Sequence, residues 1–152
     1  MKRASFLLVV LWLVGCSATA NVPLPPAIHV VPPGPAVPKD RAAFSGKWVG
    51  TWVSGPGSVV HSRAHILIVE EIIGNAAALI YAVGAGWELD RVPEKRPFWV
   101  RIKGGFVDGA LRIYVPATGG TVTYRILPDD TLDATLEYMG DLWRAHLRRG
   151  TE

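Results

Sequence analysis

TVTYRILPDDTLDATLEYMGDLWRAHLRR, residues 121–149, alternates apolar and polar side chains in three successive runs. Val122, Tyr124 and Ile126 interleave with Thr121, Thr123 and Arg125, and Leu132, Ala134, Leu136 and Tyr138 with Asp133, Thr135 and Glu137. Trp143, Ala145 and Leu147 interleave with Arg144, His146 and Arg148. A period of two belongs to a β-strand with one buried face. Asp129-Asp130 and Gly140-Asp141 interrupt the pattern where tight turns belong. Working outward across Gly74-Asn75, Asp108-Gly109 and Gly119-Gly120, the reading gives eight strands, near 46–53, 61–72, 76–84, 98–107, 110–116, 121–128, 131–139 and 142–149. No segment carries a helical period. The fold class is all-β: an eight-stranded antiparallel up-and-down barrel, because closure removes exposed sheet edges. A two-sheet β-sandwich is the alternative.

The N-terminus reads differently. Lys2 and Arg3 precede an unbroken apolar run from Phe6 to Val14. That run is too short for the ~20 helical residues a bilayer needs, and it has the proportions of a signal peptide. Leu13-Val14-Gly15-Cys16 resembles a bacterial lipobox, in which the cysteine thiol is acylated and the chain is cut before it. Ala18-Thr19-Ala20 offers a competing, ordinary cleavage site. Cys16 is the only cysteine, and a single thiol has no use in an oxidising compartment unless it carries the anchor. The expected organisation is a lipoprotein signal peptide over 1–15, a lipidated Cys16 with a Pro-rich disordered tether over 16–42, and a β-barrel domain over 43–152. Ser17 after the cysteine resembles the outer-membrane sorting pattern, so the expected location is the cell envelope, at the outer membrane facing the periplasm.

Seven of the twelve prolines lie between Pro23 and Pro38. Proline has no amide hydrogen and a fixed φ, so this segment is expected to be extended and dispensable for folding. Removing Lys2 and Arg3 from 16 basic residues leaves 14 against 13 acidic ones. The near-neutral remainder has no basic cluster interleaved with aromatics, which argues against a nucleic-acid partner.

Gly46-Lys47-Trp48 at the start of strand one and Leu147 to Arg149 at the end of strand eight resemble the lipocalin-like and avidin-like (calycin) pattern. There a first-strand G-x-W tryptophan packs against a last-strand arginine. The resemblance implies that Trp48 and Arg149 form a structural plug at one end of a short barrel. The G-x-W spacing recurs at Gly50-Thr51-Trp52, and no C-terminal helix follows strand eight.

In an up-and-down barrel the two longest loops, Ser54–Val60 and Ala85–Pro97, share one end. The tether joins strand one at the other end, so a mouth would face away from the anchor. Its expected binding rim is Trp87, Arg91, Arg96 and Trp52, with the small run Ala76-Ala77-Ala78 leaving space inside. Catalytic arrangements are not expected. His61 and His65 lie about 13 Å apart if both are on one strand, and with Arg63 they are read as an outer, solvated face. Glu70 and Glu71 are adjacent and are read as pointing to opposite faces. No nucleophile elbow, complete dinucleotide fingerprint, cofactor site or metal site is recognised. The expectation is a non-enzymatic, lipid-anchored envelope module that binds a small hydrophobic molecule or a glycan at the end away from the anchor. The alternative is a structural or interaction protein, possibly an inhibitor, with a solid core and an envelope protein as partner.

Overall fold

The computed structural model describes residues 22–54, 61–85, 96–138 and 141–151. Eight antiparallel strands run in chain order: β1 (Gly46–Ser54), β2 (His61–Ile73), β3 (Ala76–Val83), β4 (Phe98–Val107), β5 (Ala110–Val115), β6 (Gly120–Ile126), β7 (Leu132–Tyr138) and β8 (Asp141–Arg149). Each pairs with its sequence neighbour, and β1 pairs with β8, so the sheet is a closed barrel and not a sandwich. The tight turns obey the local chemistry. Asp108 and Gly109 both have positive φ, at 50° and 72°, which is the hairpin geometry that an Asp-Gly pair favours.

Alternation sorts the side chains. Trp48, Trp52, Leu67, Val69, Leu79, Tyr81, Leu111, Ile113, Val122, Tyr124, Leu132, Ala134 and Leu147 fill the interior. The turns after β2, β4 and β6 form the base, together with the short helix α1 (Lys39–Ala42). Phe44 follows that helix and packs edge-on against Phe106, with ring centroids 5.3 Å apart, closing the base from below. The C-terminal ends of β1, β3, β5 and β7, with the N-terminal ends of β2, β4, β6 and β8, form the other end, the mouth.

The described part of the expected tether is extended, but it does not hang free. From α1 the chain, followed toward its N-terminus, climbs the outer wall. The Val31 amide donates to the Glu70 carbonyl at 2.7 Å, and the Ala27 carbonyl accepts from Arg101 at 3.0 Å. Val22 and Leu24 then cover an apolar patch of Ile66, Ile68, Ile80 and Ala82 on the outside of β2 and β3. This strap corrects the expectation of a free, disordered tether. Its physical cause is that β2 is apolar on both faces, so its outer face needs a cover. The chain does join β1 at the base, but it has already run down the wall from the mouth side, so the ground for a mouth facing away from the anchor is lost.

Glu70 occupies a β-bulge, since the register shifts between Val69 and Glu71. The extra residue resets the alternation, so Ile72 returns to the core and Glu70 turns out beneath the strap. There it accepts two hydrogen bonds from Arg101, at 2.7 and 3.1 Å, and one from the His29 amide at 3.3 Å. The Arg101 bonds, with the His29 amide adding to them, hold its carboxyl below the usual range against the opposing effect of burial. The expectation that Glu70 and Glu71 point to opposite faces fails because of this bulge.

Candidate binding site at the mouth

Odd-numbered residues of β2 point inward above the bulge, as Leu67 and Val69 show. His65 therefore enters the barrel and is fully buried, contrary to the expected outer face. The run His65 to Val69 is apolar at both parities apart from the histidine itself, so alternation could not choose the face. The His61 side chain lies outside the described residues. Arg63, on the same inward parity, sits above His65 near the mouth. Its guanidinium donates to the Gly84 carbonyl at 2.8 and 3.1 Å and to the Arg96 carbonyl at 3.2 Å, tying together the chain on either side of the β3–β4 loop.

His65 is the centre of a buried aromatic cluster. Its ring centroid lies 5.2 Å from Trp52, 4.7 Å from Tyr81 and 6.0 Å from Tyr124. Nδ1 is 2.9 Å from the Ala82 carbonyl, which can only accept, so Nδ1 carries the proton. Nε2 then accepts from the Tyr124 hydroxyl, also at 2.9 Å. Burial lowers the His65 pKa from 6.5 to about 4, and nearby Arg63 adds to the effect while the Ala82 bond opposes it. The ring is neutral at pH 7. Burial likewise raises the Tyr81 phenol to about 12, and raises Tyr124 with help from Tyr81.

Above this cluster lies a cavity of about 290 Å³, lined by Trp52, Arg63, Tyr81, Val83, Arg96, Phe98, Ala117, Thr118, Leu136 and Trp143. Its wall is aromatic on β1, β3, β4 and β8, and its polar groups are concentrated at the mouth. The Trp52 indole N–H is buried without a hydrogen-bond partner. The Tyr81 hydroxyl is close enough to feel it, yet the two groups do not align into a bond. Leaving such a donor unpaired costs ~1–3 kcal/mol; the atom is closed to solvent, enclosed within the wall beside Tyr81 and not presented to the cavity.

Of the expected rim, Arg96 lines the cavity and Trp52 lies deeper, in the wall and not at the edge. Trp87 and Arg91 lie outside the described residues, as do the signal peptide, Cys16 and the Gly-Pro-Gly loop. Ala77 packs in the core near the base, so the small run does not make the cavity. The roles of His65, Tyr81, Tyr124, Phe98 and Arg63 carried no motif. Only their parity relative to Leu67 and Val69 could have pointed to the β2 pair.

At the base, β1 and β8 place Trp48 opposite Arg149. The guanidinium carbon lies 3.7 Å from the centroid of the buried indole ring, and the indole N–H donates to the Phe44 carbonyl at 2.8 Å. Arg149 also donates to the carbonyls of Ser45 and Ala43, each at 2.7 Å, and pairs with Asp130 at 3.3 Å. Trp48 and Arg149 are thus remote from the cavity and belong to the closure.

Among the described residues, no three His, Cys, Asp or Glu side chains are grouped to hold a metal ion. Comparison with protein-family models, with curated proteins and with solved structures finds no match for the chain.

Proposed function

We propose that this protein is a lipid-anchored, non-enzymatic barrel of the bacterial envelope that binds one small molecule in its mouth. The observation carrying the reading is the aromatic cavity of about 290 Å³ above a packed core, with Arg96 at its mouth. This volume is near the lower bound of small-molecule sites, ~300 Å³, and an apolar wall with few polar groups is their usual composition. The ligand class is a compact amphipath, with an apolar or aromatic body for the wall and a polar end toward Arg96 at the mouth. A sugar ring stacked on the same aromatics is the second member of that class. Anchoring through Cys16 in the outer membrane, facing the periplasm, is supported by the lipobox. The Trp48–Arg149 stack across the closing seam supports a calycin-type barrel. Nothing in this reading calls for a cofactor or for nucleic acid.

Tryptophan fluorescence tests it, using small aromatic carboxylates, medium-chain fatty acids and monosaccharides as probes. The expected result is saturable quenching by at least one probe, abolished in Leu136→Trp, which fills the cavity. Arg96→Ala should weaken binding of a carboxylate probe about tenfold, the loss of one charge-assisted contact of ~1.4 kcal/mol. If no probe binds and no small molecule copurifies, the solid-barrel reading, with an envelope protein as partner, takes its place.

A further inference from the structure

We infer that the mouth of the barrel faces the bilayer to which the protein is tethered, and that the membrane surface is a partner of the mouth end. The inference rests on the lipid-anchor part of the reading above; the mouth's orientation is additional to it.

The first observation is the direction of the strap. From Val31, bonded at Glu70, through Ala27, bonded at Arg101 opposite Ile80, to Leu24 and Val22 on the patch of Ile66, Ile68, Ile80 and Ala82, the chain moves from the base half of β2 toward its mouth half. Six Cα-to-Cα steps separate Val22 from Cys16. At no more than ~3.6 Å each they span about 20 Å. From Ile66 to the start of β2 at His61 is five residues, or ~17 Å along a strand. An anchor at Cys16 therefore reaches the mouth rim and little further. To lie below the base, the chain would have to reverse beside a path the strap already occupies.

The second observation is independent of the strap. Val53, Trp99, Tyr114 and Leu142 are exposed large apolar residues. Each stands one residue in from the mouth end of its strand, on β1, β4, β5 and β8. Exposed Arg96 and Arg144 stand among them. At the base the corresponding positions of β1, β6, β7 and β8 hold Lys47, Arg125, Asp133 and Arg148, with Ile73 and Val107 the exposed large apolar residues there. Tryptophan and tyrosine with arginine suit the boundary between headgroups and water, where an apolar body meets a polar end. The geometry is that of surface contact and not of insertion.

The test uses the lipidated full chain in vesicles of phosphatidylethanolamine and phosphatidylglycerol. With Cys16 acylated, an added cysteine is the only free thiol. Thr121→Cys marks the outer wall at the mouth, and Arg125→Cys marks it at the base, each labelled with a fluorophore. Quenching by headgroup nitroxide lipid should be several-fold stronger for the mouth label. Leu24→Asp, which releases the strap, should reduce that difference, and Trp99→Ser with Tyr114→Ser should reduce it further. A protein that cosediments with vesicles but shows stronger quenching at the base, or equal quenching at both labels, overturns the orientation alone. A protein that does not cosediment overturns the anchor reading, and the orientation with it.

Discussion

Protonating His65 would place a charge among Trp52, Tyr81 and Tyr124 and remove the lone pair that accepts from the Tyr124 hydroxyl. The folded state resists this, so its pKa is about 4 against 6.5. Between those values the unfolded chain binds the extra proton and the folded one does not. Stability therefore rises with pH across that window and falls as pH drops through 6.5. At ~1.4 kcal/mol per unit, the loss from pH 6.5 to 4.5 is about 2–3 kcal/mol. Glu70 and Asp129 are held below their ordinary values of 4.5 and 3.8, so their contributions are lost at lower pH. Urea titrations at several pH values should show this slope, and His65→Gln, which keeps both hydrogen bonds without titrating, should flatten it. A slope unchanged in His65→Gln would assign it to another group. At the opposite end, Trp48→Ala should cost ~3–5 kcal/mol, as truncating a buried tryptophan does. Arg149→Lys keeps the charge but not the planar fork, and should still cost ~1–2 kcal/mol because the stack and the bonds to Ser45 and Ala43 are lost together. Chemical denaturation of both variants measures this; a lysine variant as stable as the parent would show that charge alone closes the seam.

β2 is the element on which the sequence reading divides. Its presence and extent were legible, because the flanking turn signals bound it and its composition is β-branched. Its facing was not. An apolar run with a histidine in it fits either parity, and a bulge at Glu70 reverses the alternation partway along. The strap was half legible: proline fixes its extended shape, but nothing local shows that Ile66 and Ile68 need a cover. Burying Leu24 and Val22 contributes ~1.5–3 kcal/mol per side chain at most. A protein beginning at Ala43 should therefore melt several degrees lower than one beginning at Val22, and should lose part of its β-type circular dichroism first around β2 and β3. Glu70→Ala in the longer protein should reproduce part of that loss, since Arg101 then has no carboxylate beneath the strap. Equal melting temperatures for the two lengths would mean the strap rests on the wall without stabilising it.

At the scale of the whole molecule, closure was legible as the favoured architecture from strand number and order, because eight sequential strands leave two edges that pairing with each other removes; the same order also fits a two-sheet sandwich. The resemblance of Gly46-Lys47-Trp48 and Arg149 to the calycin pattern also named Trp48 and Arg149 for the closure, and the seam pairs them. The cavity was not legible. It is formed by residues from six strands and two loops, each unremarkable in its own neighbourhood, and its space comes from where the large side chains stop.

The Arg149 clasp has a consequence in time. It joins its guanidinium to the Ala43 carbonyl, 106 residues earlier in the chain. Contacts of that separation form late, because the entropy of a long loop is lost before the seam returns anything. Until residue 149 has been delivered, strands one to seven are an open ribbon with two unpaired edges. A polypeptide threaded across a membrane with its N-terminus leading would then remain unlocked over nearly its whole length. For a chain threaded in that way, the last strand to arrive would set the moment at which it could no longer be pulled back through.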